Sequence, residues 1–552
     1  MKQEKDQKIV FNIIAVLCII FACVSLSPKT LQNDTFYTLK IGEYIFENGI
    51  SDLTTDLYSW HDLPYTYPHW LYDLGMFLIY DNFGDLGIYI STMIFASLLG
   101  ISVYTLSCYK SKNKIISLAV TFGVIYLLRD FIAARAQLIT FLLFVLEILC
   151  IEKFLETNKK RYAIFLIIIP ILITNLHCAV FPFYFILSLP YIGEYLLLTI
   201  EDRDLDKRLF LLVFKIRKKL TRKEEKKEKL NAKLENIRFD ISERNRKRNI
   251  IRKNPYKLRV EKNKYVIALI VIMIIAAGTG FLNPAGTGAY TYLYKTLQGN
   301  TTESINEHLP LVLADEKEFL VTLVMFLAIL IFSDTKIRLN DLFMLGGLGF
   351  LALTSQRQVS MFVIFCGPIL VKLIADMFEK YDSETTKKLM KFFTDWFGAI
   401  VLICLVFIVS VRELKPKLSQ DYIDKTSYPV SAAEWILRNL DVENIKIYNE
   451  YNYGSYLLFK GIPVFIDSRC DLYTPEFNGD KEYGIKGRDI FTDALDIASV
   501  SVNYDAKFEE YGVTHIITYS NSRLAMVLRK SEGYKTILNG EYFDIFEIIK
   551  ED

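Results

Sequence analysis

The sequence predicts a polytopic α-helical membrane bundle of about eleven spans, N-in and C-out, followed by a C-terminal extracytoplasmic α/β domain. Hydrophobic residues make up 52% of the 552 residues, which is too apolar for a soluble protein of this size. Long apolar segments recur through residues 1–412, and the loops between them alternate between basic and acidic. Residues 413–552 instead alternate short strands with short helices, as a small α/β domain does.

The predicted spans are apolar segments long enough to cross a bilayer, which takes about 20 mostly apolar residues and fewer where a helix is buried among others. They are residues 9–27, 87–108, 115–132, 138–153, 162–176, 178–200, 265–282, 317–333, 342–356, 358–377 and 397–412. The first could be a signal peptide, but Ser25-Leu26-Ser27-Pro28 is a poor cleavage site and many spans follow it. We therefore expect a retained first helix.

Lysine and arginine set the predicted orientation, because short cytoplasmic loops carry an excess of both. The N-terminus and the turns at 109–114, 152–161, 334–341 and 378–391 are basic, which places them in the cytoplasm. Residues 28–86 hold two lysines against nine carboxylates, so this loop is predicted to lie outside. An odd number of spans then places residues 413–552 outside as well, in a multi-pass protein of the plasma membrane.

The net charge of +2 hides a basic cytoplasmic insertion at residues 201–264, which holds 24 lysines and arginines against 11 aspartates and glutamates. A nucleic acid could bind such a block, but its position between two spans favours a solvated helical loop attracted to anionic membrane lipids. We expect no nucleic-acid partner. Seven of the eight cysteines fall in or at apolar spans, so the sequence predicts buried thiols rather than disulfides or a zinc site.

The acidic loop 28–86 is predicted to contain two amphipathic helices lying at the membrane surface. Apolar residues recur at helical spacing from Phe36 to Ile45 and again from Trp70 to Leu78, with polar and charged residues between them. Residues 49–69 between the helices are rich in Tyr, Pro and Asp, a composition suited to the lipid headgroup region.

In the C-terminal domain the sequence predicts buried strands at 445–448, 464–466 and 514–518, separated by helices at 430–440 and 453–460. Strand, helix and strand in alternation favour a parallel sheet. No glycine-rich phosphate loop follows any of these strands, so the sequence predicts no nucleotide site.

All histidines and several charged side chains fall on the predicted outer side or at an outer helix end. They are His61, His69, His177, His308 and His515, together with Asp34, Arg129, Asp130, Arg135, Asn175, Glu307, Asp315 and Arg357. Ionisable residues in or beside a membrane are costly to hold there and tend to mark function. The alternative is that each of these side chains simply faces water.

Asp34 lies a few residues after the first predicted span, in the segment 33–43, and so places one carboxylate at the membrane surface. This position resembles the GT-C superfamily of glycosyltransferases that use polyprenyl-phosphate sugars, in particular the bacterial and archaeal branch akin to protein mannosyltransferases. Its members carry an acidic residue just after the first helix, commonly in a stretch of the type D-x-x-W-H-L-x-x-G.

Further segments resemble motifs of that branch, in the same order over nearly the whole chain except residues 201–264. They are Tyr58-Ser59-Trp60 with Pro68-His69-Trp70-Leu71 (F-S-W and H-E-W-L), Ala134-Arg135-Ala136-Gln137 (A-R-P-Q), Asn175-Leu176-His177 (N-L-H-G), Asn283-Pro284 (N-P-x-G), Gln356-Arg357 (R-N), and residues 449–457 and 465–473 (N-x-Y-x-W-G-G-Y-L and F-I-D-G-R-x-D-x-Y). Tyr37 and Ala136 depart from the family pattern, and no glutamate follows His69.

The resemblance implies a transferase that deprotonates an acceptor while a lipid phosphate leaves the sugar. Asp34 is the predicted catalytic residue, because a carboxylate within hydrogen-bond reach of the acceptor can act as its general base. The competing interpretation is that Asp34 caps an interfacial helix by accepting hydrogen bonds from the amides of Phe36 or Tyr37.

Arginines on the outer side are the predicted ligands of the departing phosphate, because a guanidinium can bind phosphate through two hydrogen bonds. The candidates are Arg135, Arg357 and Arg129, which could instead pair with Asp130 or Asp315.

Predicted substrate contacts come from the outer loops and from the C-terminal domain. They are His69, His177, Glu307, His308, Asp467, Arg469 and Asp471. The last three follow a predicted strand, where α/β sheets commonly bind ligands, although an internal Asp–Arg pair that fixes the loop is an equal alternative. No HExxH-type spacing indicates a metal site, so no metal ligands are predicted, while a divalent cation is left open as a cofactor.

The predicted function is therefore a membrane glycosyltransferase, a hexosyl- or pentosyltransferase, that moves a sugar from a polyprenyl-phosphate donor to an extracytoplasmic glycan, lipid or protein. The alternative is a non-catalytic membrane protein that binds or scaffolds lipid-linked glycans of the cell envelope.

Overall fold

The computed structural model describes residues 2–50, 55–66, 68–221, 224–253, 257–299, 301, 305–479 and 487–549, with the side chains of these residues except 2–6, 8 and 245–253. Within these ranges the chain forms a helical bundle followed by a small domain with a sheet.

The bundle is built from α-helices that overlap every predicted span. They are α1 (Lys2–Leu26), α2 (Asn33–Asn48), α3 (Trp70–Ser111), α4 (Lys114–Leu127), α5 (Ala136–Thr157), α6 (Lys160–Leu176), α7 (Phe181–Asp202), α8 (Leu205–Leu220), α9 (Glu224–Lys253), α10 (Val266–Gly278), α11 (Gly288–Gln298), α12 (Lys317–Phe332), α13 (Leu339–Thr354), α14 (Val359–Tyr381), α15 (Ser383–Thr394) and α16 (Trp396–Leu418). Among the described residues, five helical segments are long and apolar enough to cross a membrane, at α1, α3, α7, α14 and α16. The count of spans and their direction stay predictions.

Helix α3 joins two elements that the sequence analysis separated. The predicted surface helix from Trp70 and the predicted span at 87–108 form one element, bent at Gly84, whose φ of 60° and ψ of −155° are non-helical. The predicted break is therefore a kink, because glycine adopts this conformation at little steric cost. Helix α2 packs closely on the start of α3, since a Cβ at Gly42 would lie 2.2 Å from the carbonyl oxygen of Asp73.

A buried charge cluster ties α3, α5 and α13 together at one end of the bundle. Lys110 Nζ lies 3.0 Å from Glu152 Oε1 and 2.6 Å from Asp341 Oδ1, and Arg338 contacts both carboxylates at 2.7 Å. Two cations and two anions balance there, which removes the penalty that an unpaired buried charge carries.

The insertion at residues 201–264 is largely helical, as predicted. Helices α8 and α9 pack on each other, and Arg244 Nη1 lies 3.0 Å from Asp206 Oδ2 across the pair. Helix α8 exposes Leu209, Phe210 and Leu220 beside its basic residues, so it is amphipathic. Its attraction to anionic lipids stays a prediction.

The C-terminal domain contains a mixed sheet rather than the predicted parallel one. Its strands are β3 (Ile447–Tyr448), β4 (His515–Tyr519), β5 (Tyr534–Asn539) and β6 (Phe543–Ile548), and β1 (Leu258–Arg259) and β2 (Ile337–Arg338) pair separately in the bundle. Its helices are α17 (Val430–Asn439), α18 (Gly454–Phe459), α19 (Pro475–Asn478), α20 (Ile490–Ser499), α21 (Tyr504–Tyr511) and α22 (Arg523–Leu528).

In the order β3-β4-β6-β5, only β3 and β4 run parallel, and β6 is antiparallel to both neighbours. The β5–β6 hairpin turns through residues 540–542, which join Asn539 to Phe543, and this hairpin was not predicted. The predicted strand at 464–466 is wrong: Val464 makes a single bridge to Ser59 of the acidic loop 28–86, called the outer loop after its predicted side. The backbone of Val464 therefore forms hydrogen bonds with the outer loop and not with the sheet.

The outer loop and the C-terminal domain share one core. Phe36 of α2 meets Tyr428 and Tyr456 with ring centroids 4.9 and 5.2 Å apart, and Trp60 Nε1 donates to the Ile447 carbonyl at 3.1 Å. Asn33 Nδ2 donates to the Tyr451 carbonyl at 2.9 Å. The loop and the domain therefore lie on the same side of the bundle.

Candidate functional site

Asp34 lies in the first turn of α2 and points away from its own helix. Gln32 occupies the N-cap position of α2 without a side-chain hydrogen bond, so the capping alternative for Asp34 is not adopted. Instead, Asp34 Oδ2 lies 2.9 Å from Nε of Arg135, the residue immediately before α5. The contact is an ion pair without the alignment of a hydrogen bond, and Asp34 keeps 27% of its side chain exposed.

Arg135 links Asp34 to a second carboxylate. Its Nη1 lies 3.2 Å from Glu307 Oε1. The negative charge of Asp34, followed by that of Glu307, raises the pKa of Arg135 against the effect of burial. Burial alone would raise the pKa of Glu307, but Arg135 and Arg357 outweigh it and lower that pKa. The three groups therefore form a charged chain at neutral pH.

Arg357 follows α13 and lies where three cavities meet. Among the residues that the structure describes, its guanidinium has no carboxylate within ion-pair distance and its side chain makes no hydrogen bond. Arg135 is held by two carboxylates, whereas Arg357 is a cation with room for an anionic ligand.

The Asp34 cavity, of about 170 Å³, is enclosed by the outer loop, the bundle and the C-terminal domain. Its polar lining includes Asp34, Tyr37, Tyr65, His69, His177, Tyr292, Arg357, Arg469 and Asp471. Predicted residues that are far apart in the sequence are thus brought together around one space.

The Arg129 cavity, of about 190 Å³, lies on the other side of the Arg135–Glu307 pair. Its polar lining includes Arg129, Arg135, Glu307 and Arg357, and its apolar lining includes Leu127, Phe131, Leu311 and Phe319. A third, smaller cavity of about 40 Å³ lies between His177 and Arg357. Of the residues that the structure describes, only Arg357 borders all three of these spaces.

Arg129 is less available than Arg357. Its guanidinium lies 4.4 Å from the centre of the Tyr126 ring, and its Nε lies 3.5 Å from Asp130 Oδ2, the pairing that the sequence analysis offered as its alternative. Its side chain is 36% exposed.

Three side chains form a hydrogen-bonded chain that leads inward from the Asp34 cavity. The Tyr37 hydroxyl lies 2.9 Å from His69 Nε2, and His69 Nδ1 lies 2.7 Å from Asp73 Oδ1. Tyr37 and His69 line the cavity, while the Asp73 side chain is fully buried behind them. Burial alone would lower the pKa of His69, but attraction and hydrogen bonding to Asp73 outweigh it and raise that pKa.

His177 borders two of the cavities and is held by α5. The Thr140 hydroxyl donates to the Ala136 carbonyl at 2.9 Å, so it accepts from His177 Nδ1 at 3.0 Å. This arrangement places the proton of a neutral imidazole on Nδ1 and leaves Nε2 as an acceptor. The His177 and His69 ring centroids are 6.3 Å apart.

His308 follows Glu307 but does not border any of the three cavities. Burial, followed by the nearby charge of Arg357, lowers the pKa of His308 to about 4. His61, in the loop 28–86, packs against the C-terminal domain with its Nε2 2.9 Å from the Phe465 carbonyl oxygen, and His515 is buried in β4.

Asp467 and Arg469 form a buried network with the outer loop. Arg469 donates to both oxygens of Asp467, at 2.9 and 2.6 Å, and its Nη1 donates to Asp56 Oδ1 at 2.6 Å. Tyr473 donates to Asp467 at 2.6 Å. This is the loop-fixing pair that the sequence analysis gave as the alternative to substrate binding, extended to a third partner in the loop.

Asp471 instead faces the Asp34 cavity. Thr296 Oγ1 of α11 donates to Asp471 Oδ2 at 3.2 Å, and the Asp471 carboxylate also accepts a hydrogen bond from Tyr292. Burial raises the pKa of Asp471. The C-terminal domain thus contributes one carboxylate to the cavity and fastens itself to the bundle through the same group.

The sequence analysis missed Asp73 and Asp56 as partners and treated Tyr37 only as a departure from a motif. The spacing of His69 and Asp73, four residues apart at a helix start, is a signal that could have found the first pair. No local signal joins Asp56 to Arg469. Within the described ranges, no group of three His, Cys, Asp or Glu side chains is arranged to hold a metal ion.

No protein-family model and no curated protein sequence matches this chain. Solved structures do match it in fold. The archaeal oligosaccharyltransferase AglB from Archaeoglobus fulgidus, in complex with an inhibitory peptide and a dolichol-phosphate, aligns with a TM-score of 0.50 and 12% identity over 94% of this chain and 70% of its own. Its apo form aligns with a TM-score of 0.51 and 12% identity, over 93% and 69%.

ArnT from Cupriavidus metallidurans bound to undecaprenyl phosphate aligns with a TM-score of 0.50 and 9% identity, over 98% of this chain and 97% of its own. Both proteins are GT-C polyprenyl-phosphate-dependent glycosyltransferases. At these low identities the structural alignments show a shared fold, and the fold that the sequence resemblance implied is confirmed. The chain shares the fold of these two proteins over nearly its whole length.

Proposed function

We propose that this GT-C-fold protein transfers a sugar from a polyprenyl-phosphate donor to a glycan, lipid or protein acceptor on the extracytoplasmic face of the plasma membrane. One observation carries the proposal: Asp34, a carboxylate, and Arg357, a cation without an ion-pair partner among the described residues, line the same cavity. A transferase of this kind needs a base and a phosphate ligand within reach of one sugar.

Asp34 is the proposed base. Its carboxylate takes the proton of the acceptor hydroxyl or amide as the acceptor atom bonds to the anomeric carbon, and the bond from that carbon to the phosphate oxygen breaks. The acceptor attacks from the face opposite the phosphate, so the configuration inverts, and the lipid phosphate leaves with the electron pair. The pairing with Arg135 orients Asp34 but, without hydrogen-bond alignment, does not occupy its lone pairs fully.

Arg357 is the proposed principal ligand of the donor phosphate, with Arg135 beside it. Arg357 and Arg135 both line the Arg129 cavity, and Leu127, Phe131 and Phe319 form an apolar wall in it. This combination suits a phosphate joined to a hydrocarbon chain. The Asp34 cavity, which meets it at Arg357, has room for the sugar and the acceptor. Two structures of this fold hold a polyprenyl phosphate, which supports the donor class.

The proposed topology follows the charge pattern of the loops. The chain crosses the membrane about eleven times, with residues 201–264 in the cytoplasm against anionic lipids and residues 413–552 outside. The shared core of the outer loop and the C-terminal domain supports placing both on one side.

The test is transfer of radiolabelled sugar by the purified protein from a set of undecaprenyl-phosphate hexoses and pentoses to envelope lipids, glycans or peptides. We expect turnover with one donor, and we expect it to survive EDTA because arginines neutralise the phosphate. Loss of turnover on EDTA and its return with a divalent metal would assign a cation to the site. Donor binding without turnover under every condition would favour the non-catalytic glycan-binding alternative.

Replacement of Arg357 by glutamine should weaken binding of undecaprenyl phosphate by about 10- to 100-fold, because a hydrogen bond to a charged group contributes roughly 1.5–3 kcal/mol. Binding to detergent-solubilised protein, followed by tryptophan fluorescence or calorimetry, measures the loss.

The matched comparison is Arg129→Gln, which removes an arginine that lines the same Arg129 cavity but is already in contact with Tyr126 and Asp130. Its effect should stay within about threefold, since surface pairs contribute less than about 1 kcal/mol. Equal losses for the two variants would show that the cavities attract the phosphate by general charge and would remove the special position of Arg357.

A further inference from the structure

The hydrogen bonds that join Tyr37, His69 and Asp73 lead from the Asp34 cavity into the interior of the protein. Tyr37 and His69 line the Asp34 cavity, and Asp73 does not reach it. Only 9% of the His69 side chain and none of the Asp73 side chain is exposed. Asp73 therefore does not touch a ligand in the cavity, and hydrogen bonds through His69 and the Tyr37 hydroxyl link it to that space.

A buried carboxylate such as Asp73 is expensive to ionise unless a cation pairs with it. The nearest basic group is His69 Nδ1, at 2.7 Å. Burial raises the pKa of Asp73, while attraction to Asp73 raises the pKa of His69. In the ionised form of this pair, an aspartate faces an imidazolium at 2.7 Å. The titratable and charged groups that face this imidazolium are Asp34, Tyr37, Tyr72, Asp73 and His177. Tyr65 and Arg135 act on the neighbouring Tyr37.

The protonation of His69 decides what the Tyr37 hydroxyl can do. A neutral His69 that donates from Nδ1 to Asp73 accepts at Nε2, so the Tyr37 hydrogen is used inside the chain. A protonated His69 donates from both nitrogens, and the Tyr37 oxygen becomes the acceptor. The Tyr37 hydrogen then has to find an acceptor elsewhere, and the open side of the residue is the Asp34 cavity.

We propose that Tyr37, backed by an imidazolium at His69, donates a hydrogen bond to the phosphate oxygen of the donor as the sugar leaves. This inference rests on the function proposed above and adds Tyr37 as a catalytic residue, with His69 and Asp73 as positioning residues. The geometry favours a phosphate oxygen because Arg357, the uncommitted cation, borders the same cavity. A donor aimed at developing negative charge acts mainly on the rate rather than on substrate binding.

Tyr37→Phe should lower kcat by about 100-fold with little change in KM for the donor, in line with the loss of one oxyanion donor. The matched control is Tyr44→Phe, which removes a hydroxyl from the same helix α2 outside the cavity lining and should leave kcat unchanged. Undiminished transfer by Tyr37→Phe, with an active wild type, would overturn the inference and leave the proposed function standing.

The pH profile separates positioning from packing. Because the pKa of His69 is raised, the imidazolium persists at low pH and is lost as pH rises through that pKa, so kcat should fall on the alkaline side. In Asp73→Asn the carboxylate that opposes burial is gone, so the fall should move to lower pH. A purely structural Asp73 would change stability or the level of activity but not the position of this fall.

The titration of His69 can be followed without turnover. The chain has five histidines, so labelled-histidine NMR resolves them and His69→Gln identifies the signal. His69 should titrate above its ordinary value, lower in Asp73→Asn, and higher still when undecaprenyl phosphate is bound. Should the wild type transfer no sugar, the proposed function fails. An unchanged His69 titration on lipid-phosphate binding would then overturn this inference separately.

Discussion

Asp34→Asn is expected to lower the rate of sugar transfer by about 10²- to 10⁴-fold, which is the usual contribution of a general base. Asparagine keeps the size of the side chain and its position near Arg135 but cannot take the acceptor proton. The variant should still bind undecaprenyl phosphate, because Arg357 and Arg135 remain. Single-turnover transfer from labelled donor measures the first effect, and equilibrium binding of the lipid phosphate measures the second.

Asp130→Asn is the matched control for this change. Asp130 also lies on the predicted outer side and also pairs with an arginine, but its side chain is 78% exposed and it does not border the Asp34 cavity. Its transfer rate should match the wild type. Full turnover by Asp34→Asn would show that another group is the base, and Asp471 in the same cavity would be the next to test.

Arg469→Met is expected to destabilise the protein by about 3–5 kcal/mol, the cost of leaving buried charges without their partner. Only 5% of the Arg469 side chain is exposed, and its removal leaves Asp467 and Asp56 facing each other without a cation. At about 2–4 °C per kcal/mol for a domain of this size, the thermal midpoint should fall by roughly 10 °C. Loss of monodisperse protein on heating in detergent measures it.

Arg438→Met is the matched control, because Arg438 pairs with Glu434 on the same domain but is 76% exposed. A surface pair of this kind contributes about 0–1 kcal/mol, so the midpoint should hardly move. The same experiment decides whether the Asp467–Arg469 pair fixes its loop or binds substrate. An unchanged midpoint together with weaker donor or acceptor binding would assign Arg469 to the substrate instead.

Much of the bundle could be predicted from the sequence because the length of an apolar run and the period of its residues are local properties. Each predicted span overlaps a helix for that reason. The break predicted between Leu78 and residue 87 is instead a kink at Gly84 within one helix, because the sequence on both sides favours a helix and only the conformation of one glycine separates the two parts. In the C-terminal domain the helices 430–440 and 453–460 were predicted well, whereas the sheet was not.

The strand pairing was mispredicted for a physical reason. Alternation of strands and helices indicates parallel neighbours only when each strand returns to the sheet through a helix. Here β5 and β6 form a hairpin, and β6 rather than β5 pairs with β4. The sequence of a short buried strand does not show which segment it pairs with. The residues at 464–466 could therefore pair with a loop as well as with a sheet.

The sequence by itself determined which residues are candidates. The basic and acidic loops, the short motifs and the position of Asp34 after the first span pointed to Asp34, Arg135 and Arg357 before any distance was known. Each of these signals is contained in a short stretch of the sequence, because it depends only on the composition and spacing of neighbouring residues.

The tertiary structure alone decided how those charges are used. Arg469 pairs with Asp56, 413 residues away in the sequence, and Arg135 pairs with Glu307, 172 residues away. Arg357, which lines the same cavity as Asp34, has no ion-pair partner among the described residues. Coulomb attraction and burial act through space, so the pairing of charges depends on where the chain brings them. That is why the sequence could propose the members of the site, while only the fold could show which of them are occupied and which face the cavity.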